Sequence, residues 1–361
     1  MENQLFQPFT MGQISLDNKI VMAPMTRSRA ISNIPNELMA EYYRQRSTAG
    51  LIITEGTAPS PNGLGYARIP GIYNQEQIEG WKKITTSVHK QGSKIFLQIM
   101  HTGRVSHPLN MEKNASILAP SAIPMKGQMY TDEAGMQDYP SPKAMTTEEI
   151  LQAEQEFVQA SINAIEAGFD GVELHGANGY LIQQFLNPAT NQRTDDYGGS
   201  IENRARFVLE VADKVASAIG KDRTGIRLSP YGTASEMSLY DDIPSTYAYI
   251  AEKLGELGLA YIHTVNQGTV EPSVMSEILA TIKAKFKHTV IHNGGFDKTT
   301  AIDSISSGKT DLVAFGRPFI SNPDFVQRLA NNETLNPMDP ETLYTPGAKG
   351  YTDYPSLNGL K

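Results

Sequence analysis

The chain is expected to belong to the α/β class and to fold as a single (β/α)8 TIM barrel domain over residues 1–361. Eight short runs suited to buried strands fall at 19–25, 51–58, 94–101, 171–175, 224–229, 261–265, 289–293 and 312–315, and most gaps between them carry a helical period. Polar and glycine residues gather just after these runs, where a barrel collects its functional groups at the C-terminal ends of its strands. A length of 361 residues exceeds one ordinary domain but suits a barrel.

Residues 1–18 alternate around Gly12 and Asp17-Asn18, the pattern of a short hairpin capping the N-terminal mouth of the barrel. A helix is predicted over 147–167, with a Thr-Thr-Glu-Glu start and Gly168 as its stop; others follow over 201–219 and over 245–257 after Pro244. Residues 103–145, rich in Pro, Gly, Met and Ser, are too long for a plain connection and read as an excursion over the opposite mouth. The segment 336–361 carries Pro337, Pro340, Pro346, Pro355 and several Tyr residues, and reads as a loop tail folded back on the barrel.

Composition removes several classes of function. Lys and Arg number 31 against 39 Asp and Glu, a formal charge of -8 without a long basic run, which argues against nucleic acid and anionic membrane partners. The absence of Cys excludes disulfides, thiolate nucleophiles and thiolate metal sites, and no metal site is expected. No apolar stretch approaches the ~20 residues that span a bilayer. The start Met1-Glu2-Asn3-Gln4 lacks signal-peptide character, so the expected location is cytoplasmic, as a monomer or weak homodimer.

The richest stretch is the strand 171–174 running into His175, Asn178 and Tyr180 among glycines. A tight turn there brings three donors to one point: His and Asn to bind a carbonyl or nitro oxygen, and a phenol, protonated at neutral pH, to give a proton. Gln98, at the end of the third run, both donates and accepts, as a flat heterocycle with carbonyl and imide groups requires. Arg227 supplies a permanent cation for the charge that a flavin gains on reduction, and Thr26 a donor to another ring carbonyl. Asn293-Gly294-Gly295 and Gly316-Arg317, after the last two runs, offer backbone amides and a cation for a phosphate.

These pieces together resemble the Old Yellow Enzyme family of flavin-dependent ene-reductases, near the bacterial N-ethylmaleimide and nitrate-ester reductases. The likeness runs from Lys19-Ile20-Val21-Met22-Ala23-Pro24-Met25-Thr26 through Gln98-Ile99-Met100-His101-Thr102-Gly103-Arg104, the His175–Tyr180 run and Phe315-Gly316-Arg317-Pro318 to Gly350-Tyr351-Thr352-Asp353-Tyr354-Pro355. The resemblance implies non-covalent FMN, with Pro24, Thr26, Ala58, Gln98 and Arg227 around its ring and Asn293, Gly295, Gly316 and Arg317 at its phosphate. It also implies His175 and Asn178 as the substrate clamp, Tyr180 as the proton donor, and Tyr66, Met100 and Tyr351 as pocket walls. The implied cycle is ping-pong: NADPH or NADH reduces the cofactor, and an electron-poor alkene or nitro compound then uses the same pocket. Met100 stands where nitrate-ester reductases commonly have Trp, and Asn178 where several have a second His, so the resemblance supports the reaction class more than a substrate list.

Other barrel chemistries fit less well. A metal-dependent hydrolase would want His-x-His near the end of the first strand, and Val21 to Thr26 has none. A Schiff-base aldolase needs an inner Lys, yet strand six reads Tyr261-Ile262-His263-Thr264-Val265. A dihydropyrimidine-type dehydrogenase would place a Ser or Cys base near the flavin, and neither is evident. The remaining alternative is a non-catalytic or differently specific FMN-binding barrel, which would have no need for His175, Asn178 and Tyr180 over the ring.

Overall fold

The computed structural model describes residues 4–357 and 359. Residues 1–3, at the head of the expected cap, and 358, 360 and 361, at the end of the expected tail, lie outside the described residues. Eight strands, β1 (Ile20–Met22), β2 (Leu51–Ile53), β3 (Lys94–Ile99), β4 (Gly171–Gly176), β5 (Thr224–Leu228), β6 (Tyr261–Val265), β7 (Thr289–Asn293) and β8 (Leu312–Phe315), close into a parallel barrel. β8 pairs with β1 to seal it, so the sheet has no open edge. Both faces of these strands are covered, which is why they read as near-continuous apolar runs rather than alternating ones.

The surrounding layer is built from amphipathic helices α1 (Glu37–Gln45), α2 (Gln75–His89), α3 (Thr147–Glu166), α4 (Ile201–Ile219), α5 (Ile243–Leu257), α6 (Pro272–Phe286), α7 (Lys298–Ser306) and α8 (Phe325–Asn331). Their starts follow from local chemistry. The Thr146 side chain accepts from the Glu149 amide while Glu149 reaches back to Thr146, a capping box that opens α3. α5 starts two residues earlier than predicted, because Pro244 belongs inside the first turn, where its missing N–H costs nothing. β1 and β2 stop short of their predicted ends, since Pro24 has no amide for the ladder and the chain bends away after Ile53.

Outward-facing Ile52, Leu97, Leu174 and Ile262 pack with Trp81, Phe157 and Phe207 of the helices in one continuous core. Trp81 is fully buried and donates its Nε1–H to the Gly71 carbonyl. A second core fills the barrel near the strand starts, where Met11 and Leu16 of an N-terminal hairpin, Phe9–Met11 with Ile14–Leu16, meet Leu51, Phe96, Tyr261 and Leu312.

Two long segments reach the other mouth. Within 103–145, read from the sequence as an excursion, the chain forms an antiparallel hairpin, Gln128–Thr131 with Gly135–Asp138. The C-terminal segment is held by buried arginines: Arg29 donates to the carbonyls of Thr342, Leu343, Gly347 and Lys349, and Arg27 to those of Leu343 and Gly350. These bonds replace secondary structure as the partners of an otherwise bare backbone.

Candidate active site

A cavity of about 710 Å³ opens at the C-terminal ends of the strands. Its wall includes Pro24 and Thr26 after β1, Gln98 and Met100 on and after β3, His175, Asn178 and Tyr180 on and after β4, and Arg227 on β5. Tyr66 and Arg68 join from the β2 side, Met129 and Tyr130 from the 128–138 hairpin, and Pro340, Tyr344 and Pro346 from the C-terminal segment. Arg68 ties three of these walls together, donating to the carbonyls of Ser28 and Tyr344 and pairing with Asp132. Gly56 makes room for Met100, because a Cβ there would sit 2.5 Å from the Met100 sulfur.

The clamp predicted from the β4 run is assembled by a sharp turn. Asn178 and Gly179 both adopt positive φ, +58° and +78°, and a Cβ on Gly179 would collide with Ser235 and the Ala234 carbonyl. Burial, then the nearby Arg227 charge, hold the His175 ring well below the usual imidazole range, so it is neutral at pH 7. Its Nδ1 accepts from the Ala177 amide at 3.3 Å, so the single ring proton resides on Nε2. Asn178 is oriented by a relay: the amides of Thr233 and Ala234 donate to Gln267 Oε1, so Gln267 Nε2 faces outward and donates to Asn178 Oδ1 at 2.7 Å. The Asn178 NH2 group is thereby left as its free end, without a protein partner among the described residues. Two neutral donors, His175 Nε2–H and the Asn178 amide, serve the same cavity.

Gln267 was not singled out from the sequence, since nothing local marks it. Replacing it with Ala is expected to lower kcat/KM for 2-cyclohexenone about tenfold, the worth of one hydrogen bond of roughly 1.4 kcal/mol, with the loss mostly in kcat because Asn178 becomes free to turn from the oxygen whose charge develops. Steady-state kinetics of Q267A check this.

Tyr180 lies beside the clamp, its ring edge-on to His175 with centroids 4.8 Å apart, and its hydroxyl donates to Tyr66 Oη at 3.1 Å. Burial pushes its phenol up to about 12, so it keeps its proton throughout the physiological range. A step needing this proton is therefore expected to show no alkaline decline near pH 10, where an ordinary tyrosine ionises. A pH–rate profile of alkene reduction to pH 10.5, compared with that of Tyr180→Phe, measures it.

Beneath these groups lies a polar floor inside the barrel. Gln98 Nε2 donates to Glu173 Oε1 at 2.8 Å, and His263 Nδ1 donates to Glu173 Oε2 at 2.8 Å. Arg227 donates weakly to Asn293 Oδ1 at 3.4 Å, while its buried Nε has no partner among the described residues. The buried Arg227 Nε–H, the Gln98 side-chain carbonyl and the Thr26 hydroxyl, none with a partner among the described residues, form a set of donors and an acceptor facing one another across the floor. They fit a flat ring that has carbonyls and an N–H and gains negative charge.

Ala58, Asn293, Gly295, Gly316 and Arg317 do not line this cavity. Ala58 packs behind Met100. The β7 and β8 ends adjoin the floor through Asn293, whose Nδ2 donates to the Ala314 carbonyl. Gly295 has φ +73° with open space around it, and Arg317 is exposed without an ion-pair or hydrogen-bond partner among the described residues. Tyr351 also stands apart from the wall: its ring is fully buried, stacked on Tyr42 at 4.1 Å and packed against Arg27 and Arg29. Tyr344, seven residues earlier, is the C-terminal tyrosine on the wall. The sequence reading also missed Glu173, although strand alternation places it on the same inward face as His175. His101 accepts the Gly103 amide on Nδ1, and His89 pairs with Asp170.

Comparison with known proteins follows the same lines. The model of the NADH:flavin oxidoreductase / NADH oxidase family matches residues 4–336. The chain is 41% identical to 12-oxophytodienoate reductase 7 of Oryza sativa subsp. japonica, covering 99% of this chain and 95% of that protein. It is 40% identical to a protein of Leishmania infantum named as a probable flavin mononucleotide-dependent alkene reductase, over 98% of this chain and 97% of the relative. Among solved structures, morphinone reductase in complex with tetrahydroNAD superposes with a TM-score of 0.93 at 42% identity, covering 99% of both chains. The chain belongs to the NADH:flavin oxidoreductase / NADH oxidase family and, within it, to the FMN-dependent alkene reductases of the Old Yellow Enzyme type.

Proposed function

We propose that this protein reduces the C=C bond of electron-poor alkenes such as enones, enals and maleimides, drawing on NADPH or NADH, with nitrate esters and nitroaromatics as further acceptors. The observation that carries this reading is the pair of outward-facing neutral donors, His175 Nε2–H and the Asn178 amide, beside a phenol that keeps its proton. Pro24, Thr26, Gln98 and Arg227 would hold the FMN ring, with Ala58 behind Met100 backing that wall, and Asn293, Gly295, Gly316 and Arg317 would hold its phosphate. When bound, FMN supplies the hydride. His175 and Asn178 bind the activating oxygen and stabilise the charge that develops on it. Tyr180 gives its proton to the carbon next to the activating group, and Tyr66, 3.1 Å from the Tyr180 oxygen, turns its own hydroxyl to donate to that oxygen as the proton leaves. Met100 and Tyr344 shape the space for the substrate.

In this reading the whole chain is one FMN-binding unit: the N-terminal hairpin closes one mouth, and 103–145 together with 336–361 shape access to the other. No helix among the described residues is long and apolar enough to cross a membrane. The proposed partners are small molecules rather than nucleic acid or membrane, and the proposed setting is cytoplasmic, as a monomer or weak homodimer.

The test is an anaerobic absorption titration of the purified protein. Flavin bands should bleach with NADPH or NADH and return on adding 2-cyclohexenone or N-ethylmaleimide. Bands that bleach but never return with any alkene or nitro compound would favour the differently specific FMN-binding barrel instead. Failure to take up FMN would overturn the assignment of Gln98, Arg227 and Arg317.

A further inference from the structure

We propose that Glu173 is a positioning residue for the flavin ring, its buried carboxylate fixing which way the Gln98 amide faces and offsetting the charge of Arg227 below the ring. The inference rests on the FMN reading above. Glu173 is fully buried on β4, pointing into the barrel, and each of its oxygens takes one short hydrogen bond, from Gln98 Nε2 and from His263 Nδ1. An ionised carboxylate only accepts, so the Gln98 amide must turn its nitrogen to Glu173. Its carbonyl oxygen and second N–H remain available, an acceptor beside a donor, to match an edge carrying an N–H next to a carbonyl. Without Glu173 the two faces of that amide are close in energy, and half of its orientations present the wrong pattern.

The charge argument is separate. Arg227 is buried within the interior floor, where a charge is weakly screened, and the Glu173 charge acts on it from the neighbouring strand. His263 adds no counter-charge: burial holds its imidazole below its ordinary range, and with its proton on Nδ1 the buried Nε2 is bare. Glu173 thus moderates how strongly Arg227 favours the reduced, more negative flavin.

Two variants separate the roles. Glu173→Gln presents both an oxygen and a nitrogen to Gln98 and removes the charge; FMN affinity, read by flavin fluorescence, should fall about twofold, the loss expected when half of the Gln98 orientations are wrong. Its midpoint potential should rise by about 30 mV, a tenfold change for a two-electron couple. Glu173→Asp keeps the charge but withdraws it from Gln98, so affinity should fall while the potential stays at the wild-type value. Wild-type affinity and potential in E173Q would overturn the proposal, whereas a wild-type protein that takes up no FMN would overturn the cofactor reading itself. If the variants do not fold, a neutron structure of the FMN-loaded wild-type protein, which shows the amide deuterons, decides: Gln98 Nε2 must stay on Glu173, and an amide turned the other way overturns the inference.

Discussion

Replacing His175 with Ala is expected to slow single-turnover alkene reduction by about 10²–10³, the loss seen when one donor to a developing oxyanion is removed. Hydride arriving at the β-carbon pushes charge onto the activating oxygen, so a donor fixed there gains strength as the reaction proceeds. His175 suits this role because it is neutral and its proton is on Nε2, with Nδ1 occupied by the Ala177 amide. A neutral donor already in place needs no reorganisation and does not tie up the substrate as an ion pair would. Asn178→Ala is expected to cost less, about tenfold to a hundredfold, since His175 remains to bind the same oxygen. The double variant should lose less than the product of the two single effects, because both donors act on one atom. Stopped-flow reoxidation of the reduced enzyme by 2-cyclohexenone measures all three variants. Dioxygen needs no clamp, so equal slowing of reoxidation by dioxygen in H175A would trace the loss to a misplaced cofactor instead.

The parts of this site legible in the sequence are those carried by strand ends. Gln98, His175 and Arg227 sit on the inward face of an alternating strand or just past it, so a barrel register delivers them to one mouth regardless of detail. The same alternation held Glu173 and His263, but inward polar residues below the strand ends look like ordinary satisfied core groups until their partners are known. Residues brought in by long returns had no local signal. Tyr344 reaches the wall because Arg27 and Arg29, more than 300 residues away, hold the neighbouring carbonyls and Arg68 holds its own. Tyr351, in the more recognisable Gly350-Tyr351-Thr352-Asp353 motif, is instead buried between those arginines. The Gln267 relay depends on two backbone amides of another loop, a contact no periodicity encodes.

Acidification from pH 6.5 to 4.5 is expected to remove several kcal/mol of stability, before most surface carboxylates titrate. Four histidines, His101, His175, His263 and His292, are buried, and desolvation lowers each below its ordinary value of 6.5. The sign follows directly: the unfolded chain takes up protons that the fold refuses, so stability is complete above pH 6.5 and drains as pH falls. His101 and His292 are pushed down to about 4, and each accounts for about 3 kcal/mol by the time both states are protonated. Glu55 and Glu154 work in the opposite direction, because burial pushes each up to about 7 and the folded chain binds their protons first; together they offset about two of the four histidines. Glu149 and Asp195, held low by Lys143 and Arg193, lose their contribution only below about pH 4.5. Urea unfolding followed by circular dichroism at pH 7.0, 5.5 and 4.5 measures the slope. His101→Asn retains an acceptor for the Gly103 amide and has nothing to titrate, so it should flatten the slope by about a quarter to a half; an unchanged slope would show that His101 is not buried neutral. The desolvation that makes the fold sensitive to acid also keeps His175 neutral with its proton on Nε2, so the clamp and the acid sensitivity have one physical origin.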